Sequence, residues 1–505
     1  MRFPNPITAT MTAAGRYRRA LIDPALASRA VLLSLVLYTI LWAVYATVAK
    51  SSQGLHYDMT ETIAWSRDLQ FGYLKHPPLA AAVAWAWFRV VPFGEFQFYL
   101  LAMTMPAISL WFVWRVSADY LDAEKRVIGL ALLMLVPFFH FHALKFNVNT
   151  VMMPVWAATT YWFLRSYETR SKLYAALAGI GAAGCMLGKY WSVFLLIGLV
   201  LAALIDRRRA PYFFSAAPWI TAASGAIVLA PHLIWLVQND FAPFGYAMYI
   251  HGAKPFGSTV IAALGYLAGS IGYVAIPIII VLVAARASRA TTMDMVWPQD
   301  DRRRFAALAF WLPFLLPAIG AVASGTEITS LWSMPAWTLL PVLLLSSPAV
   351  TFREIDTQRV LIAAIAVPLV MLIAAPAIAV MVHRNGPPPA AAQGQLLAAQ
   401  VERTWAQATQ APLRYVGGDA DIAYSVAAYA YDKPQALPGM PPPDATRLRH
   451  SGMVLLCFAE DTGCVSLARA HNPDGGVMTT EIWRYYWGVP GKPQRYNIVI
   501  VPPRQ

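Results

Sequence analysis

The chain has 505 residues, 58% of them hydrophobic and 13% charged, with a mean hydropathy of +0.50. Soluble domains carry about 25% charged residues, so these figures exclude an ordinary soluble fold and point to an integral membrane protein. The net charge of +13 fits a protein that gathers Lys and Arg in its cytoplasmic loops, and needs no nucleic-acid partner.

Residues 1–29 form a basic N-terminal segment. The apolar run at 30–49 is long enough for a span, which takes about 20 residues, and no small-residue cleavage site follows it, so it reads as an uncleaved signal anchor. Further runs fall near 97–114, 127–144, 150–167, 173–188, 190–206, 212–237, 258–285, 305–324, 331–347 and 360–383, making eleven predicted spans. Segment 78–93 is a twelfth apolar stretch. If it does not cross, the clusters Arg16/Arg18/Arg19/Arg29, Arg115/Lys125/Arg126, Arg165/Arg170/Lys172, Arg207–Arg209, Arg286/Arg289/Arg302–Arg304 and Arg353/Arg359 all fall on one side. If it crosses, that bias collapses. The positive-inside rule therefore makes 78–93 an interfacial segment, its Trp85, Trp87, Phe88 and Arg89 suited to the outer surface. Residues 30–383 become the membrane core, with a long first periplasmic loop at 50–96.

Composition shifts at "RNGPPPAAAQG", and 384–505 reads as a small periplasmic α/β domain: a helical stretch "LLAAQVERTWAQA" and strand-like runs "GMVLLCF" and "YNIVIVPP" around the Pro-rich "LPGMPPPDA". Cys457 and Cys464 flank the turn-like "FAEDTG", and in an oxidising compartment a disulfide is the expected use. Cys185 lies within a predicted span as a small buried hydrophobe.

The densest chemistry is in "HYDMTETIAWSRDLQFGYLKHPPLAAA", which gathers Asp58, Glu61, Arg67, Asp68, Lys75 and His76 just past the first span. A carboxylate at the membrane surface can meet both a lipid headgroup and a water-soluble hydroxyl, which suits Asp58 to general-base chemistry on a lipid-linked substrate. The plainer alternative is that Asp58 caps the helix predicted over 60–70. His140 and His142, two apart on a helix, point to different faces and do not make a paired metal site. Span interiors are nearly free of Asp, Glu, Lys and Arg and contain no internal repeat, which argues against the alternative of a transporter or flippase for lipid-linked glycans.

The same stretch resembles the first-loop signature of bacterial polyprenyl-phosphate-sugar-dependent membrane glycosyltransferases of the GT-C superfamily. That superfamily includes the protein mannosyltransferases, lipid A aminoarabinose transferases and rhizobial lipid A galacturonosyltransferases. There an Asp precedes a Gly-aromatic pair by fourteen residues, followed by an acid and His/Lys-Pro-Pro; here Asp58 precedes Gly72-Tyr73 by that spacing, and His76-Pro77-Pro78 follow. "KFNVNTVMMPVWAATTYWFLRS", "GCMLGKYWSVFLLIGLVL" and "APHLIWLVQNDFAPFGYA" resemble the family's later motifs in order, so the likeness runs along nearly the whole chain.

The resemblance implies a GT-C fold of about eleven transmembrane helices, with interfacial helices in the first loop and a periplasmic C-terminal domain. It implies a multi-pass protein of the bacterial inner membrane with its active site outside, a polyprenyl-phosphate-sugar donor and an envelope glycolipid acceptor, lipid A or lipopolysaccharide first. Protein O-glycosylation is the alternative acceptor chemistry.

A departing lipid phosphate needs a cation: Lys75 and Lys189 stand at family motifs, and Lys254 lies in the outer loop 238–257, though Lys189 and Lys254 also fit as headgroup-snorkelling residues. Substrate contacts fall to Glu61, Tyr73, His76, Asn147, Asn149, Tyr190, Asp240 and His251; Asp240 serves equally as the start of a turn. Where the family tends to carry acids, this chain has Met59 after Asp58, Lys75 before His-Pro-Pro, and Asn149 in "NVN". Those departures weaken any divalent-metal role, and no cofactor is assigned.

Overall fold

The computed structural model describes residues 6–252, 254–388, 391, 393–440, 443–471 and 476–504; linker positions 389, 390 and 392 and Pro-rich loop positions 441 and 442 lie outside the described residues. The chain is mostly helical. Among the described residues, six helices are long and apolar enough to cross a membrane by length and composition: Ala27–Ala49, Glu95–Ser117, Ala217–Gln238, Phe256–Tyr273, Asp301–Ser324 and Glu354–Asn385.

Several of the predicted apolar runs are shorter, interrupted or more polar, for local reasons. The run at 127–144 stops as an α-helix at Met134, and Pro137, lacking an N–H, opens a single 3-10 turn instead. The run at 258–285 divides at Val274 into Phe256–Tyr273 and Ala275–Ala284. The run at 331–347 becomes two 3-10 turns and the six-residue helix Leu340–Leu345, punctuated by Pro335 and Pro341. Val148–Thr169 has the length, 22 residues, but carries many polar side chains. Segment 78–93 folds as Leu79–Val90, 12 residues, about 18 Å at 1.5 Å per residue and too short for a core of about 30 Å.

The helix Ala27–Ala49 shows the physical logic of the spans. Val31, Leu35, Tyr38, Trp42 and Ala46 recur every three or four residues and are buried as one stripe. Leu32, Leu33, Val36, Leu37 and Ile40 on the opposite side are 42–61% exposed, a face that lipid, not water, accommodates.

The chain forms two compact units. One comprises Met1–Ala43, Leu100–Leu144 and Val148–Met371; the other comprises Val44–Tyr99, Lys145–Asn147 and Leu372–Gln505. In the first, the helices Lys172–Gly188 and Ala217–Gln238 pack through small residues. Thr221 Oγ1 donates to the Ala175 carbonyl at 3.0 Å and Ser224 Oγ to the Ala176 carbonyl at 3.1 Å, the small-residue contact typical of membrane helices.

The second unit holds a five-stranded mixed sheet. Its strands are β1 (Tyr415–Gly418), β2 (Gln435–Ala436), β3 (Met453–Phe458), β4 (Val477–Ile482) and β7 (Gln494–Val501), in the order β2-β1-β3-β7-β4; β5 (Tyr485–Tyr486) and β6 (Val489–Pro490) pair separately. β1 runs parallel to β2 and β3, and β7 runs antiparallel to β3 and β4. Alternation along β3 sorts its side chains between two layers. Val454 and Leu456 meet the helices Gly394–Ala408 and Ala420–Tyr429, while Met453, Leu455 and Cys457 meet Ala468 and Val465 of the helix Thr462–His471. A disulfide joins Cys457 to Cys464 and ties β3 to that helix.

The same unit packs the first loop on the C-terminal segment. Trp65 and Tyr73 share a core with Tyr424, Ala427, Ala436 and Met440. The Arg67 guanidinium donates to the carbonyls of Ala427 and Ala428, the latter at 2.9 Å, satisfying the open end of the Ala420–Tyr429 helix.

Candidate active site

The first loop folds into a helix, Tyr57–Ser66, because its amide end is capped and its far side is buried. His56 is the cap: its backbone is extended and its Nδ1 accepts the Asp58 backbone N–H at 3.1 Å. With the cap supplied by His56, Asp58 occupies the second helical position and its carboxylate is directed elsewhere. Asp58 Oδ2 accepts from Asn147 Nδ2 at 2.7 Å and pairs with Lys145 Nζ at 3.2 Å, while Oδ1 lies 3.9 Å from His56 Nδ1. Burial works against the Asp58 charge, but Lys145, His56, the Asn147 hydrogen bond and Lys75 outweigh it and hold the carboxyl below its usual range. The helix N-terminus adds a favourable field.

One turn further, Tyr57 and Glu61 share a helix face at i and i+4. Tyr57 Oη donates to Glu61 Oε1 at 3.1 Å. Lys75 Nζ donates to Tyr57 Oη at 2.7 Å and to the two Glu61 oxygens at 2.9 and 3.2 Å. The three side chains close a hydrogen-bonded ring. Burial pushes the Glu61 carboxyl up to about 7, even against the attraction of Lys75. The Asp58 side chain keeps 22% of its surface accessible and Glu61 only 5%, so the two carboxyls differ in reach as well as in the direction their surroundings shift them.

The surrounding residues hold this arrangement. Tyr73 is fully buried, stacked on Trp65 at 4.7 Å, and its hydroxyl donates to the Trp65 and Asp68 carbonyls at 2.9 and 3.2 Å. Its ring and hydroxyl are both engaged in shaping the loop. His76 meets the Trp65 ring edge-on at 6.1 Å. From the C-terminal segment, Asp421 reaches the field of this cluster. Its carboxyl is raised by burial and Asp419, opposed by Lys75, and raised further by Asp58.

A second group of sequence-predicted residues assembles in the other compact unit. Lys189 Nζ donates to Asn149 Oδ1 at 3.0 Å and lies 4.1 Å from the Trp332 ring centre, a cation–π placement. His251 meets the same Trp332 edge-on at 5.2 Å, and Lys254 Nζ is 3.9 Å from Glu327. The backbone joins these loops, Glu327 N–H donating to the His251 carbonyl at 2.9 Å and Lys254 N–H to the Gly325 carbonyl at 3.0 Å. Tyr190 Oη is 3.0 Å from His232 Nε2, and its ring stacks on Phe244 at 4.6 Å. Asp240 stands apart in the turn after Ala217–Gln238, with Phe241 in left-handed backbone at φ 50° and 52°, a conformation Asp tolerates well.

Lys145, Tyr57, Trp332 and His232 are partners that sequence reasoning did not single out. Lys145 had a signal, being one of few cations on the predicted outer side and two positions before Asn147. Tyr57 and His232 lie within the quoted first-loop and seventh-run stretches without a role assigned to them there, and Trp332 lies outside every quoted motif. Among the described residues no three His, Cys, Asp or Glu side chains converge as a metal site. Asp58 and Glu61 each face an ammonium group, a donor set that already balances their charge.

Residues 75–235 match the family described as dolichyl-phosphate-mannose-protein mannosyltransferase. The lipopolysaccharide core galacturonosyltransferase RgtB of Rhizobium johnstonii is 28% identical over 198 residues, 38% of this chain and 40% of RgtB. The alignment thus spans about two fifths of that relative. Two crystal structures of ArnT from Cupriavidus metallidurans share the fold at 12% identity. The apo form has a TM-score of 0.58 with 95% of this chain and 98% of ArnT covered, and the form bound to undecaprenyl phosphate has 0.57 with 93% and 97%.

Proposed function

We propose that this membrane protein, with a glycosyltransferase-family domain on a GT-C fold, transfers a sugar from a polyprenyl-phosphate-linked donor to an envelope acceptor on the periplasmic face of the inner membrane. The observation that carries the reading is Asp58: an accessible carboxylate, held ionised by Lys145 and Asn147, in the loop between two apolar helices. In that reading the acceptor hydroxyl oxygen attacks the anomeric carbon from the face opposite the phosphate. The new C–O bond forms as the bond to phosphate breaks, the hydroxyl proton passes to Asp58, and polyprenyl phosphate leaves as the anion. A low carboxyl pKa does not bar this role, because the hydroxyl becomes strongly acidic as its oxygen bonds to carbon.

Lys75 in one unit, and Lys189 and Lys254 in the other, are separate proposed candidates for the partner of the leaving phosphate, whose charge needs a preorganised cation. Undecaprenyl phosphate, bound in one ArnT structure, supports a lipid-phosphate donor. The name of RgtB supports lipopolysaccharide or lipid A as the first acceptor to try. Glu61, His76 and Asn147 in one unit, and Asn149, Tyr190, Asp240 and His251 in the other, are each proposed as substrate-positioning residues, with Tyr73 shaping the first loop.

The test is transfer of labelled sugar from a polyprenyl-phosphate donor by the protein in nanodiscs, comparing wild type with Asp58→Asn. Loss of a general base costs about 10²–10⁴-fold. A correctly inserted Asp58→Asn protein with an unaltered thermal melt and full transfer would sink the assignment. Mass spectrometry of lipid A and core sugars, with and without the gene, tests the acceptor.

A further inference from the structure

The Tyr57–Ser66 helix has a second working side. Ile63, Ser66 and Arg67 line a cavity of about 960 Å³ together with Trp85, Phe88, Arg89 and Phe93 of the interfacial segment and Tyr431 and Lys433 of the C-terminal segment. At roughly 100° per residue, Ile63, Ser66 and Arg67 fall about half a turn away from Tyr57, Asp58 and Glu61. The cavity therefore lies on the far side of this helix from the candidate base, and an acceptor held in it does not present a hydroxyl to Asp58.

Its lining is specific in charge. Arg67, Arg89 and Lys433 are three cations, and among the described residues no carboxylate lines the cavity. Arg67 uses donors on the Ala427 and Ala428 carbonyls, but a guanidinium has five N–H groups. Arg89 lies 5.2 Å from the Trp85 ring centre, which holds its head beside the aromatic wall. The wall itself (Trp85, Phe88, Phe93, Tyr431) is apolar and belongs in part to Leu79–Val90, a helix too short to cross, whose Trp85 and Val90 are 39% and 85% exposed. Cations above an aromatic trough on an interfacial helix match a molecule with an anionic head and an acyl tail. The volume is at the upper end of about 300–1,000 Å³ for ligand pockets.

We propose that this cavity is a binding site for an anionic phospholipid of the surrounding bilayer, its phosphate held by Arg67, Arg89 and Lys433 and its acyl chain laid against Trp85, Phe88 and Phe93. The site is separate from the Asp58 cluster and joins the first loop to the C-terminal segment through a lipid.

The experiment is native mass spectrometry of the full-length protein, exchanged into mixed phosphatidylglycerol and phosphatidylcholine and then stripped with increasing detergent. Wild type is expected to keep one phosphatidylglycerol over phosphatidylcholine by about tenfold or more, less so at high salt. Arg89→Gln/Lys433→Gln is expected to lose that preference, and the charge-conserving Arg89→Lys/Lys433→Arg to keep it. Asp58→Asn also keeps it, so failure of the catalytic reading and failure of this one are told apart. Equal retention of both lipids by wild type, unchanged preference in the neutralised variant, or loss in the charge-conserving one overturns the proposal. So does lipid A displacing phosphatidylglycerol at lower concentration, which would make the cavity an acceptor site.

Discussion

Glu61 and Lys75 form a buried pair, with 5% and 16% of their side-chain surfaces accessible, and such pairs are costly to break from one side. Lys75→Met leaves the Glu61 carboxylate without its cation and is expected to destabilise the protein by about 3–5 kcal/mol. The double variant Glu61→Gln/Lys75→Met is expected to recover most of that loss, and thermal unfolding of the full cycle in detergent measures the coupling. The two carboxylates also give opposite pH signatures. Glu61 is raised from its ordinary 4.5 to about 7, so between those values the folded state binds more protons than the unfolded one. Its contribution to stability therefore falls as pH rises through that window. Melting temperature against pH is expected to show this decline in wild type and to flatten in Glu61→Gln. Asp58 is lowered below its ordinary 3.8; its contribution is present above that value and is lost only as pH falls through the lower folded value.

Helix packing in the membrane part depends on small residues at defined places. A Cβ at Gly179 would collide with Ser224 Oγ and the Thr221 carbonyl and would reach Gly225 N at 2.9 Å. Since Thr221 and Ser224 also donate to the Ala175 and Ala176 carbonyls, the two helices cannot separate without losing those bonds. Gly179→Val is expected to cut the yield of folded protein sharply and to lower its melting temperature. Gly265 is the control: a Cβ there meets nothing within 4 Å. Gly265→Ala is expected to leave stability unchanged or raise it by about 0.5–1 kcal/mol, through lower backbone entropy in the unfolded chain. Fluorescence-detected size exclusion after a heating series separates the two outcomes.

For the whole molecule, the first loop and the C-terminal segment fold as parts of one compact unit. Trp65 and Tyr73 on the loop and Tyr424, Ala427 and Met440 on the segment supply one apolar core, and Arg67 caps the Ala420–Tyr429 helix from across the sequence. Deleting 394–505 removes half of that core while leaving Asp58, Lys75 and the membrane helices covalently intact. The truncated protein is expected to become sensitive to protease within 50–96 and to lose transfer; protection of that loop equal to wild type would contradict this dependence.

Much of the fold was legible in the chain, because burying backbone in lipid forces long apolar helices. Hydropathy identified the six long helices and the membrane class, and the drop in hydropathy past 384 marked a mixed α/β segment. Hydropathy counts apolar residues, not helical continuity, so it passed over the breaks at Pro137 and Val274. The spacing from Asp58 to His76 picked out the charged loop, yet who pairs with whom was not written there. His56 takes the cap, Glu61 takes Lys75, and Asp58 is held by Lys145 and Asn147 from 89 positions on in the case of the amide. Local pattern reports periodicity and composition; long-range ion pairs and shared cores exist only once distant segments meet. The sequence alone therefore determined the membrane class, the order of the elements and the loop that carries the ionisable groups. Tertiary structure decided which carboxyl stays partly accessible and is shifted down and which is buried and shifted up, because desolvation and charge pairing depend on three-dimensional neighbours.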